Sequence, residues 1–179
     1  IRFEHVCFTY PCSEKEVLHD INFELDVSQS TAVVGENGSG KTTIIKLLCG
    51  LYQPTSGRIL FDDCDLKNLS SSEIGKVIKV VFQDFFQYEM TIRENIGFGN
   101  LNRISHDMEL QNVLDAVHLE ELKRLGLDTP LGKLEPAGID LSRGQWQRLA
   151  VSRIFLNDTG FAVLDEPTAS VDPVSEYNM

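Results

Sequence analysis

Gly35-Glu36-Asn37-Gly38-Ser39-Gly40-Lys41-Thr42 follows the pattern GxxxxGKS/T and stands between a short apolar run, Thr31 to Val34, and a segment with helical periodicity. That context suits a loop that cradles phosphates. Its glycines let successive backbone N–H groups turn toward an anion, the helix behind it presents its positive end, and Lys41 adds a point charge for β- and γ-phosphates. Thr42 is the residue type that meets magnesium in such loops. Near the other end of the chain, the apolar strand Phe161-Ala162-Val163-Leu164 runs into Asp165 and Glu166. Two carboxylates at a strand end can hold a metal through its water shell and orient or deprotonate an attacking water, the first role falling to Asp165 and the second to Glu166. A third candidate is Leu141-Ser142-Arg143-Gly144-Gln145. Ser142 and Gln145 have capping-box spacing, and Gly144 permits close backbone approach to an anion at that helix start. Taken singly, these are also a glycine turn, a surface acidic pair and a capped helix. Their occurrence together favours the chemical reading.

In this order along the chain, the motifs resemble those of the ATP-binding cassette (ABC) ATPases, with Leu141 to Gln145 similar to the family's LSGGQ signature apart from Arg143 at its third place. The resemblance covers nearly the whole chain. It implies an α/β fold: a P-loop NTPase core of mainly parallel sheet, an antiparallel β subdomain and an inserted α-helical subdomain. The core is expected over residues 1–84 and 158–179, and the helical lobe over about 85–157. It further implies that ATP is held by Gly35, Glu36, Asn37, Gly38, Ser39, Gly40, Lys41, Thr42 and Thr43, and Mg2+ by Thr42, Gln83 and Asp165. Glu166 and Gln83 are then the catalytic pair. Ser142, Gly144 and Gln145 would close over ATP held by a second ABC ATPase domain, identical or not. Tyr10, in FTYP, is similar to the aromatic residue on which adenine stacks; the alternative reading is a strand aromatic packed in the core. Gln83 also reads as a polar strand end, and Asp172 before Pro173 as a helix N-cap, although Thr168 to Asp172 resembles the family's dimer-interface loop.

The finer resemblance, through GLYQPTSG, FQDFFQYEMTIRENI and DLSRGQWQRLAVSR, is to exporters of peptides, lipids or drugs. It implies ATP hydrolysis to ADP and phosphate coupled to transport, transmembrane domains as partners, and a place at the cytoplasmic face of the cell membrane. Two features depart from the pattern. Leu134 to Asp140 lacks the family's Glu-Arg pair, and only 14 residues follow Asp165, with no histidine among them, so the switch histidine is missing and a C-terminally truncated domain is expected. A soluble ABC ATPase acting on ribosomes or DNA shares these motifs, and a nucleotide-binding regulatory module without turnover is the reading from another class.

The elements that must position these residues follow from periodicity. Val17, His19, Ile21, Phe23 and Leu25 alternate with polar residues, predicting a half-buried strand. The first ten residues are also extended, but Ile1 and Phe3 lie on one parity and Val6, Phe8 and Tyr10 on the other, predicting a bulge. Thr31 to Val34, Arg58 to Asp62 and Val77 to Phe82 are further predicted strands. Ile44, Leu47, Leu48 and Leu51 mark the buried face of the helix after the phosphate loop, and Leu110, Val113, Leu114 and Val117 mark another stripe. Ser70 with Glu73 and Thr91 with Glu94 predict capping boxes. Trp146, Leu149, Ala150 and Ile154 should face inward from the helix that Ser142 opens. The unbroken run Phe161 to Leu164 predicts a strand buried on both faces.

Sixteen Lys and Arg against 27 Asp and Glu give a net charge of −11. This disfavours nucleic acid as a partner and requires any bound polyanion to have a local site. The longest helical apolar stretch, Ile44 to Leu51, is broken by Lys46 and falls short of the roughly 20 residues that cross a bilayer. The opening residues lack a signal-peptide pattern, so no secretion is expected. Cys7, Cys12, Cys49 and Cys64 form no CxxC pair and read as small apolar residues in a reducing compartment.

Overall fold

The alternation seen from Val17 becomes strand β2 (Glu16–Glu24), which pairs antiparallel with β1 (Arg2–Thr9). The computed structural model describes residues 1–157 and 160–165. The slip of phase in β1 is a real irregularity: the register Phe3↔Phe23 gives way to Val6↔Ile21 and then Phe8↔Leu18. His5 and Asp20, with φ of 50° and 45°, take up the turn of the chain there. This lets Phe3, Val6, Phe8 and Leu18 all reach one core despite their mixed parity. Two more strands, β3 (Ser56–Phe61) and β4 (Cys64–Asp65), complete an antiparallel sheet of order β2-β1-β3-β4.

Helix α1 (Lys41–Leu48) buries Leu47 and Leu48, and α2 (Ser71–Val77) opens with the expected capping box of Ser70 and Glu73. Leu51 departs from the predicted stripe and is exposed. The helix ends at Leu48, and Gly50, with φ of 68°, turns the chain before an i+7 position can come round to the buried face. Strands β5 (Ile78–Val81) and β6 (Phe161–Leu164) form a separate two-stranded sheet.

The helices α3 (Ile92–Gly97), α4 (Asp107–Ala116), α5 (Glu120–Leu125) and α6 (Arg143–Phe155) share a second core. The predicted stripe Leu110, Val113, Leu114 and Val117 is buried there, with Ile92, Ile96, Trp146 and Leu149. Helix α6 packs against both α3 and α4. The capping boxes at Thr91 and Ser142 are both formed.

The chain divides into two compact units. One holds Ile1–Lys79 with Gly160, Phe161, Ala162 and Val163; the other holds the described residues from Val80 to Asn157 with Leu164 and Asp165. Two strand expectations need correction. Thr31 to Val34 forms no strand, and Val34 is 92% exposed. An extended segment becomes a strand only with a ladder partner, and it joins neither of the sheets among the described residues. Phe161 to Leu164 is a strand but is not buried on both faces: Phe161 and Val163 pack on the first core, whereas Ala162 and Leu164 are exposed. A strand with one described neighbour and one covered face shows alternation rather than continuous burial.

Candidate functional site

Residues Gly35 to Gly40 lie in irregular chain and turns that lead directly into α1. Gly40 is the N-cap of that helix at φ 98° and ψ 4°, a left-handed conformation that glycine adopts without strain. A side chain is excluded there as well, because a Cβ would stand 2.7 Å from Leu18 Cδ2. No side chain caps the helix at Gly40, and the N–H groups of a first helical turn point toward an anion placed before it. Lys41 Nζ folds back over the loop, donating to the carbonyl oxygens of Gly35 at 2.8 Å and Glu36 at 3.0 Å. Ser39 N–H donates to the Glu36 carbonyl at 3.1 Å and tightens the turn. An ammonium and a helix N-terminus thus converge at one exposed loop, which is what a polyphosphate requires. Asn37 and Gly38 form the turn within it.

Thr42 is half-buried on the first turn of α1, and Thr43 is buried beside it. Tyr10 shares a hydrogen bond with Thr43 Oγ1 at 2.9 Å, meets Phe8 and Tyr52 edge-on, and has Lys46 Nζ 5.6 Å from its ring centroid. Tyr10 is therefore tied to the phosphate-loop helix through its hydroxyl and rests on the first core.

Gln83, Asp165 and the segment around Ser142 belong to the second unit. Asp165 follows β6, is only 6% exposed, and its N–H donates to the Val81 carbonyl at 2.9 Å, which sets it beside the strand that leads to Gln83. Gln83 is exposed and lines a cleft of about 430 Å³ with Asp84, Phe85, Asp140, Leu141 and Arg143. Ser142 Oγ accepts from Gln145 N–H at 3.3 Å, and Gln145 Oε1 accepts from Ser142 N–H at 2.8 Å. Gln145 Nε2 donates to Glu121 at 3.0 Å, so its side chain serves the helix start. Gly144 needs neither a positive φ nor room from its own chain, since a Cβ there would meet nothing within 4 Å. Glu166, and the segment Thr168 to Asp172, lie outside the described residues.

Residues 18–169 match the family described as ABC transporter. The chain belongs to that family.

The proteins it resembles are named as transport ATP-binding proteins, a lipid A-core flippase and an ABC exporter. The chain is 40% identical to the subtilin transport ATP-binding protein of Bacillus subtilis, over 97% of its own length and 29% of that protein. It is 41% identical to the nisin transport ATP-binding protein of Lactococcus lactis subsp. lactis, over 98% and 30%. It is 40% identical to an ATP-dependent lipid A-core flippase of Nitrosococcus oceani, over 100% and 30%. Among solved structures it resembles a bacterial Atm1-family ABC exporter with ATP bound, with a TM-score of 0.86 and 29% identity, over 99% of this chain and 30% of that one. The chain thus spans less than a third of the length of these relatives. Among the described residues no helix is long and apolar enough to cross a membrane.

Arg153, Asn95 and the exposed rings of Phe86 and Phe98 are not among the site residues predicted from the sequence of this ABC domain. Arg153 was detectable: it lies seven residues after Trp146 and four after Leu149, on the stripe that faces inward, where a cation is out of place. The rings carry no such signal, because apolar residues in an irregular segment read equally as core.

Proposed function

We propose that this chain binds and hydrolyses ATP to power export through the transmembrane part of a larger transporter, at the cytoplasmic face of its membrane. The observation that carries this reading is the phosphate loop: an uncapped helix start, a left-handed Gly40 and the Lys41 ammonium drawn together on one exposed turn. The exporter relatives support the coupling to transport. In this reading Gly35 to Thr43 hold the phosphates and Tyr10 meets the adenine. Ser142, Gly144 and Gln145 close over ATP on a second ABC ATPase domain, where the open space around Gly144 suits an approaching phosphate. Glu166 accepts the proton of the attacking water, and Gln83 orients that water. The core spans 1–84 and 158–179, the helical lobe lies between them, and the central sheet of the complete domain is mainly parallel.

The donors assigned to magnesium are a hydroxyl (Thr42), an amide (Gln83) and a buried carboxylate (Asp165). These hard oxygen ligands fit an ion that keeps several waters and takes few protein ligands besides phosphate. Held by Thr42, Gln83 and Asp165, Mg2+ would supply charge neutralisation of the phosphates. For the membrane-embedded partner, the supporting feature is aromatic: Phe86 is 72% and Phe98 44% exposed, and Tyr88 lies between them with centroids 5.3 and 4.7 Å away. Exposed, mutually packed rings mark an interaction surface, and we assign it to the transmembrane domains.

Lys41→Ala in the full-length protein tests the reading. It should weaken binding of a fluorescent ATP analogue by on the order of 1.5 to 3 kcal/mol through loss of a charge-assisted contact. Equal affinity in wild type and variant would remove the role given to Lys41.

A further inference from the structure

Helix α6 carries the signature residues in its first turn and Arg153 near its last. The Arg153 guanidinium is half-buried, and burial pulls its pKa below the ordinary arginine value although it stays cationic. Its described partners are neutral. Nε donates to the Asn95 carbonyl at 3.1 Å, Nη2 to Asn95 Oδ1 at 3.0 Å, and Nη1 and Nη2 both to the Phe86 carbonyl at 3.3 Å. Its Cζ lies 4.7 Å from the centroid of the Tyr88 ring. Asn95 is itself fully buried and spends its Nδ2 on the carbonyls of Tyr88 at 2.9 Å and Thr91 at 3.1 Å.

Burying a cation among neutral acceptors is costly, and a leucine or methionine would fill the same inward stripe without that cost. What the guanidinium fork achieves, and an apolar side chain cannot, is to bind Phe86, Tyr88 and Asn95 at once. An independent observation concerns Gly99. A Cβ on it would collide with the Arg153 main-chain carbonyl, and Gly99 has no positive φ to explain its identity. The last turn of α6 therefore grips the aromatic segment twice, through the Arg153 side chain before α3 and through the Arg153 main chain just after Phe98.

We propose that Arg153 is a positioning residue that fixes the Phe86–Tyr88–Phe98 surface to the signature helix, so that a shift at Ser142 is delivered as a shift of that surface. The proposal rests on the reading of those rings as the docking face for the membrane-embedded partner. Eleven residues at 1.5 Å each separate Ser142 from Arg153 along one helix, a rigid lever of about 16 Å.

The test uses the full-length protein in lipid vesicles as wild type, Arg153→Lys, Arg153→Met and Phe98→Ala, read by amide hydrogen exchange and by kcat and KM for ATP. Arg153→Lys keeps charge and stem but loses the fork, and is the variant least prone to misfold. Both Arg153 variants should exchange at least tenfold faster across residues 86–99, keep residues 146–150 protected, hold KM within twofold and lose kcat at least fivefold. Phe98→Ala should show the same kinetic split. Unchanged exchange at 86–99 in both Arg153 variants overturns the proposal. So does lost protection at 146–150 with a raised KM in Arg153→Lys, which would mark a general scaffold. Wild-type kcat in Phe98→Ala sinks the docking reading and the coupling role of Arg153 with it. A loss in Phe98→Ala alongside wild-type kcat in both Arg153 variants sinks the Arg153 assignment alone.

Discussion

Tyr10 has two separable parts. Its hydroxyl is engaged with Thr43, whereas its ring sits at the edge of the first core with Lys46 near the ring. Tyr10→Phe removes only the hydrogen bond, and should lower stability by about 0.5 to 1.5 kcal/mol while leaving ATP affinity within twofold. Tyr10→Ala removes the stacking surface, which for a base on an aromatic ring contributes roughly 1 to 3 kcal/mol. Titration of an ATP analogue beside thermal unfolding separates these effects, and full ATP affinity in Tyr10→Ala would confine the ring to the core. At this scale the phosphate loop was legible because its chemistry is local: three glycines within six residues and a lysine carry their own geometry. The engagement of Tyr10 with Thr43 was not, since the two residues meet only once β1 is laid beside α1. The partners of Arg153 were hidden for a related reason, most of its acceptors being main-chain carbonyls that any residue could supply.

Among the elements, the three capping boxes were readable because each is closed within four residues. Ser70, Thr91 and Ser142 all accept from the N–H three positions on, and Glu73, Glu94 and Gln145 return the bond. The sheets were less readable. The fates of Thr31 to Val34 and of Phe161 to Leu164 depend on which strands lie alongside, and no local pattern states that. Leu51 failed on one residue, the Gly50 turn. The box at α3 also makes a pH prediction. Hydrogen bonds from the Thr91 side chain and backbone hold the Glu94 carboxyl below the ordinary value of 4.5. A depressed folded pKa means stability that is fully present above 4.5 and lost as pH falls through the lower folded value. Thr91→Ala should therefore cost roughly 1 kcal/mol near neutrality, and Glu94→Gln should be less stable than wild type at pH 7. The Glu94→Gln gap should close in the acid range below 4.5. Urea unfolding at both pH values checks this, and a gap of constant size would show that the ionised carboxylate is not what caps the helix.

On the scale of the whole molecule, a chain of net charge −11 can hold a polyanion only at a local site, and the proposed one concentrates N–H donors and one ammonium at a single loop. The second set of donors, at the start of α6, cannot be explained from within. Ser142 and Gln145 satisfy each other, yet Gly144 beside them has neither a conformational nor a packing reason to be glycine. A glycine kept open at a helix N-terminus suits an anion brought by another molecule, and in the proposed function a second ATP-bearing domain of the same kind would supply one. In that arrangement the α6 amides would stabilise charge on the transferring phosphoryl group, where donors act most strongly on rate. Full-length Lys41→Ala and full-length Ser142→Arg each spoil both composite sites of a homodimer, but their mixed dimer regains one intact site. Mixing the two inactive variants should therefore restore a substantial fraction of wild-type phosphate release, up to about half per mixed dimer if the two sites turn over independently. Phosphate release is measured with dimer composition read by differential tags. If mixed dimers form and release no more phosphate than either variant alone, while wild type is active, then each domain completes its own site and the composite arrangement is wrong for this protein.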